Sequence, residues 1–215
     1  MRRLGKTGIG MWVFALFLLV LSPLQADAAG LSPKDREMVA RAETYLNAIT
    51  TLSARFLQVS SNGATAEGSF YLSRPGRLRL DYDPPSAIQV IANGNFLIYH
   101  DTKLLQTSYV GLDSTPAGIL VLPQIRLSGD RLTVTKVTRG PGVFEITLIQ
   151  TDDSDQGRIT MLFSEAPLAL KQWHIVDRQG QTTTVSLFDM RTGISLDKSL
   201  FVFDDPAFTA PPEPR

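Results

Sequence analysis

Cysteine is absent from all 215 residues. No disulfide can staple this chain, so its stability must come from a packed core. The same absence excludes a lipidated N-terminal cysteine as a membrane anchor. Histidine is nearly as scarce, and His100 and His174 lie far apart with no H-E-x-x-H or H-x-x-E-H pattern around them. A metal site would have to join these two to carboxylates, for which no spacing exists. Asp152, Asp153 and Asp155 cluster near Gly157, but the EF-hand spacing and its closing glutamate are missing, so the cluster reads as a solvated turn. There is no G-x-S-x-G elbow for an acyl-transfer serine. Catalysis would have to rest on scattered residues; binding is the reading the chain favours, with neither metal nor cofactor.

Charge bias is also missing: 21 basic residues face 21 acidic ones. So balanced a chain has no electrostatic footprint for nucleic acid. Nor is there an apolar run long enough to span a bilayer, which needs about 20 residues. The longest such run, Met11 to Leu21, follows Arg2, Arg3 and Lys6 and precedes Ala26-Asp27-Ala28, the order of a cleavable secretory signal. Residues 1–28 are therefore expected to be removed, leaving a protein of an extracytoplasmic space with no membrane anchor. The expected mature chain holds 18 basic and 20 acidic residues, a charge of about −2. Residues 29–206 are expected to form one domain, and 207–215, which contain three prolines, a loosely held tail.

What is present is mostly strand. One helix opens the domain: Ser32 as N-cap, Pro33 at the first helical position, then Val39, Ala42, Tyr45, Leu46, Ile49 and Leu52 at spacings of three and four. From Ala54 onward, alternating segments separated by Asn-Gly, Pro-Gly, Pro-Pro and Gln-Gly turns predict twelve strands, the last over 200–204. So many short neighbouring strands indicate an antiparallel sheet curled into a barrel or half-barrel. Such a sheet encloses either a packed interior or a cavity, and the pattern fits both.

Two segments break the pattern. In Ser73-Arg-Pro-Gly-Arg-Leu-Arg-Leu-Asp-Tyr82, the even positions Phe70, Leu72, Leu78, Leu80 and Tyr82 form an apolar face, and Arg74 intrudes on it. A three-residue loop over 75–77 would pair Arg74 with Leu78 and keep the face one-sided. Arg74 would then stand at the end of an apolar surface, where a charge needs water or a partner. In Ser114-Thr-Pro-Ala-Gly-Ile-Leu-Val-Leu-Pro123, Thr115 can cap, Pro116 can begin and Pro123 can end a short helix. Ile119, Leu120, Val121 and Leu122 leave that helix no polar face, so it should cover something apolar.

Phe56-Leu-Gln58, the Gly68 to Leu72 run into Arg74-Pro75, Tyr82 before Pro84-Pro85, Ala92-Asn-Gly94 followed by Tyr99, and Ser114-Thr-Pro116 occur in an order that resembles the periplasmic outer-membrane lipoprotein carrier family, the LolA type. The match runs from about Ser32 to Pro206. The resemblance implies an incomplete antiparallel β-barrel covered by a helical lid, enclosing an apolar cavity for lipoprotein acyl chains. On it, Phe56, Phe70, Leu72, Leu78, Leu80 and Tyr82 would line the cavity, and Ile119, Leu120 and Leu122 would belong to the lid. Arg74 would be a latch donating to lid carbonyls in the closed, empty state. The resemblance further implies a monomeric periplasmic carrier, served by an inner-membrane ATP-binding-cassette release complex and delivering to an outer-membrane receptor or to the outer membrane itself. A lipid-binding sensor or adaptor on the same fold is the alternative. Leu78 or Leu80 departs from the family, whose members often carry an aromatic residue at that position.

Overall fold

The structure is a computed structural model that describes residues 30–205. The expected signal, 1–28, and the expected tail, 207–215, lie outside the described residues. Among these, one α-helix, α1 (Pro33–Ala48), precedes eleven strands. They are β1 (Thr51–Ser60), β2 (Thr65–Ser73), β3 (Arg77–Tyr82), β4 (Ile88–Asn93), β5 (Phe96–Asp101) and β6 (Gln106–Gly111), followed by β7 (Leu132–Gly140), β8 (Val143–Gln150), β9 (Arg158–Glu165), β10 (Leu168–Val176) and β11 (Thr182–Thr192). All join one antiparallel sheet in the order β6-β5-β4-β3-β2-β1-β11-β10-β9-β8-β7. Strands β6 and β7 are its two edges, which makes the molecule a half-open barrel.

α1 forms where the capping signals place it. The Ser32 hydroxyl accepts from the Asp35 amide at 3.1 Å and donates to the Asp35 carboxylate at 2.6 Å. Met38, Val39, Ala42 and Leu46 are its buried stripe. Between β6 and β7 the chain makes a 3₁₀ helix, Pro116–Val121, whose cap Thr115 accepts from the Ala117 amide at 3.0 Å. Gly118, Ile119, Leu120 and Val121 are all buried, as a helix without a polar face requires. α1 and this second helix lie on the same apolar cluster as the alternate residues of both halves of the sheet, from Phe56, Phe70 and Leu78 to Phe144, Met161 and Trp173.

Two expectations are corrected. The β2–β3 loop has three residues, but they are Arg74, Pro75 and Gly76: Ser73 pairs with Arg77, Leu72 with Leu78 and Phe70 with Leu80. Arg74 therefore sits in the turn and is not opposite Leu78. Its amide donates to Thr50 O at 2.8 Å, outside the hairpin, and Gly76, at φ +78°, supplies the left-handed residue that closes the loop. The shift of two in pairing leaves the alternation intact, so the face survives. The expected strand over 200–204 is instead a 3₁₀ turn, Lys198–Phe201, and extended chain. Asp197 caps that turn by accepting from Ser199 N, Arg79 Nη1 donates to Leu200 O at 2.9 Å, and Phe201 is buried. This segment docks on β3 and β4 without joining the sheet, so its alternation marks a packed surface and not a ladder.

Candidate functional site

The register brings the six expected lining residues together. Cross-strand partners share a face: Leu72 pairs with Leu52 and Leu78, Phe70 with Ala54 and Leu80, and Gly68 with Phe56 and Tyr82. Gly68 is required there, since a Cβ would meet Asp81 O at 2.1 Å and the Phe56 ring at 2.7 Å. Its absence lets the Phe56 and Tyr82 rings meet edge to face, centroids 5.1 Å apart. Phe56, Phe70, Leu72 and Leu78 are 1–5 % exposed, while Leu80 and Tyr82 are half-buried. Burial pushes the Tyr82 hydroxyl up to about 12, with a smaller contribution from Tyr99, and the hydroxyl donates to Gln58 Oε1 at 2.7 Å.

The face continues past β3. Leu78 pairs with Ala92, Ala92 with Leu97 and Leu97 with Val110; Leu80 pairs with Val90 and Val90 with Tyr99. Cover is lost along this path, for Tyr99 is 47 % and Val110 44 % exposed. The same apolar surface is thus buried at β1–β3, in the cluster it shares with the helices, and open to solvent toward the β6 edge.

Of the expected lid residues, Ile119 and Leu120 are buried in the common cluster and Leu122 is half-buried against it. Trp173 was not anticipated as part of this surface, yet its ring lies 5.6 Å from Phe70. A register shift between Leu170 and Gln172 interrupts the alternation of β10, and that irregularity hid it.

Arg74 meets the cover, though not where expected. Its Nη2 donates to Leu46 O in the last turn of α1, which carries no basic residue of its own. A guanidinium there complements the negative end of the helix dipole. The carbonyls of Ile119, Leu120 and Leu122 do not receive it; the other helix is held by the same turn through Gly76 N, which donates to Val121 O at 2.8 Å. Burial lowers the Arg74 pKa, and its buried Nε has no hydrogen-bond partner among the described residues. The charge is thus desolvated and only partly satisfied.

The remaining titratable candidates make local contacts. His100 Nδ1 lies 3.0 Å from Thr107 Oγ1, and His174 Nδ1 lies 2.8 Å from Thr184 Oγ1. Asp153 pairs with Arg178 at 3.1 Å. Among the described residues no group of three or more His, Cys, Asp or Glu could hold a metal ion. No helix among them is long and apolar enough to cross a membrane.

An open antiparallel sheet with one apolar face under helices, clasped from a single hairpin turn, defines the class of helix-covered half-open barrels. Comparison with known proteins narrows it. The sequence profile of the family described as "Outer membrane lipoprotein carrier protein LolA" matches residues 47–204, and the chain belongs to that family. It is 32 % identical over 176 residues to an outer-membrane lipoprotein carrier protein of Methylococcus capsulatus, covering 78 % of this chain and 83 % of that one. Its identity to the protein of the same name from Azotobacter vinelandii is 28 % over 205 residues, with 90 % and 97 % covered. A DUF1329 family protein from Desulfovibrio piger shares the fold at TM-score 0.50 and 10 % identity, over 79 % of this chain and 96 % of that one. The family is one of carriers and not of enzymes.

Proposed function

We propose that this protein acts in the periplasm, where it takes the acyl chains of lipoproteins released from the inner membrane onto the face that runs from Phe56 to Val110 and delivers them to the outer membrane. The observation that carries the reading is the continuity of that face: covered at Phe56, Phe70, Leu72 and Leu78, open at Tyr99 and Val110. An acyl chain entering at the open end meets apolar surface all the way under the cover. Such a route is needed because each methylene exposed to water costs about 0.8 kcal/mol. An anchor of about 40 methylenes would therefore cost roughly 30 kcal/mol to pass through water unescorted.

Loading on this reading means that the lipid replaces the contacts that Ile119, Leu120 and α1 make with the sheet. Arg74 is the latch whose hydrogen bond favours the closed, empty form, so that cargo is held loosely enough to be handed on. Energy for loading comes from an inner-membrane ATP-binding-cassette release complex, and an outer-membrane receptor or the membrane itself accepts the cargo.

The test is release. Membranes holding a labelled lipoprotein and an active release complex are incubated with the purified protein, sedimented, and the supernatant counted. The expected outcome is label recovered one-to-one with the protein. Label that stays in the membrane would overturn the carrier reading in favour of a lipid-binding sensor or adaptor.

A further inference from the structure

The two covering helices are separated by 67 residues of sequence and by six strands, yet polar side chains of α1 fasten it to Ile125 and Leu127, in the segment that follows the second helix. Asn47 Oδ1 accepts from Ile125 N at 2.9 Å and Asn47 Nδ2 donates to Ile125 O at 2.8 Å. The same Nδ2 donates to Glu43 O at 2.9 Å, which holds the amide in place on the helix. One turn earlier, Glu43 Oε2 accepts from Leu127 N at 2.8 Å. Ile125 and Leu127 are fully buried, so their amides would otherwise be orphaned, and loss of these bonds is correspondingly expensive.

These contacts close a circuit. From the 74–76 turn, Gly76 N holds Val121 O; four residues on, Ile125 is held by Asn47; the neighbouring residue Leu46 is held by Arg74, back in the same turn. Resting on the carrier reading, we infer that Asn47, supported by Glu43, is a coupling residue that makes α1 and the 116–127 segment a single cover, released by the 74–76 turn as one body. A turn that let go of only one helix would leave the other half of the apolar face shut. With Asn47 in place, breaking the Arg74 and Gly76 bonds frees both helices together.

Amide hydrogen exchange followed residue by residue on the purified, lipid-free protein tests this. Substituting Arg74→Leu is expected to speed exchange of Leu46, Ile49, Leu122 and Ile125 by a common factor, because one opening exposes them all. In Asn47→Ala, Leu122 and Ile125 are expected to exchange about tenfold faster while Leu46 keeps its parent rate, as befits the loss of two hydrogen bonds. If Asn47→Ala does not fold, Asn47→Asp keeps the acceptor for Ile125 N and loses the donor, and a smaller split in the same direction is expected. A response to Arg74→Leu confined to Leu46 and Ile49, or an Ile125 amide indifferent to Asn47→Ala, would overturn the inference. The exchange experiment contains no lipoprotein: coupled exchange with failed release would sink the carrier reading alone, and uncoupled exchange with normal release would sink the coupling alone.

Discussion

Tyr82 shows how a single side chain reports on the covered face. Its hydroxyl satisfies Gln58 while its ring packs on Phe56, and burial raises its pKa from 10.0 to about 12. A tyrosine whose folded pKa is raised keeps its proton in the native state after the unfolded chain has begun to lose it. Its contribution is fully present below pH about 10 and is lost as the pH climbs toward about 12, where the native hydroxyl itself ionises. That window is worth on the order of 3 kcal/mol. Tyr82→Phe is expected to cost about 1 kcal/mol near neutral pH for the lost hydrogen bond, and to flatten part of the fall in stability between pH 10 and 12. Denaturant midpoints of parent and variant at neutral pH and across the alkaline range measure both. An alkaline slope identical in the two proteins would show that Tyr82 is not shielded from water.

At the scale of elements, glycine positions decide how closely strands and turns approach. Gly68 faces the Phe56 ring, and a Cβ at Gly76 would lie 2.8 Å from Gly94 Cα in the neighbouring turn. Gly68→Val is expected to destabilise the protein by about 1–3 kcal/mol, because the added Cβ alone already overlaps the Asp81 carbonyl and the Phe56 ring. A denaturation midpoint within error of the parent would contradict that packing. The same scale shows what the sequence made legible. Period-two alternation predicted eleven strands that form, because most of them bury one face and each has a ladder partner. Alternation over 200–204 misled, since a segment lying across a sheet alternates in the same way without pairing. The hairpin register was missed by two residues for a related reason: the Arg74 and Gly76 amides are claimed by Thr50 and Val121, partners that local turn rules do not contain. Asn47 and Glu43 were illegible altogether, being polar residues on a helix whose pattern is read from its apolar stripe.

For the whole molecule, the cover is a bridge between the two flanks of the sheet. α1 is tied at its start to the edge strand β7 by Asp35 and Arg139, 3.4 Å apart, and at its end to the β2–β3 turn by Arg74. The first is a partly exposed ion pair of modest worth, the second a desolvated charge with an unpaired Nε. On the proposed function, a closed state held by an imperfectly satisfied charge would lie only slightly below the open one, as a carrier that opens and recloses would need. Arg74→Leu removes the bond to Leu46 and leaves the apolar face unchanged. It is expected to raise binding of a fluorescent acyl-chain probe by roughly tenfold, the factor that corresponds to about 1.4 kcal/mol of lost closure. Probe titrations of parent and variant by fluorescence measure it. An Arg74→Leu protein that binds the probe no better, or less well, would mean that leucine closes the cover as firmly as arginine does, and that the residue is a rim charge and not a latch.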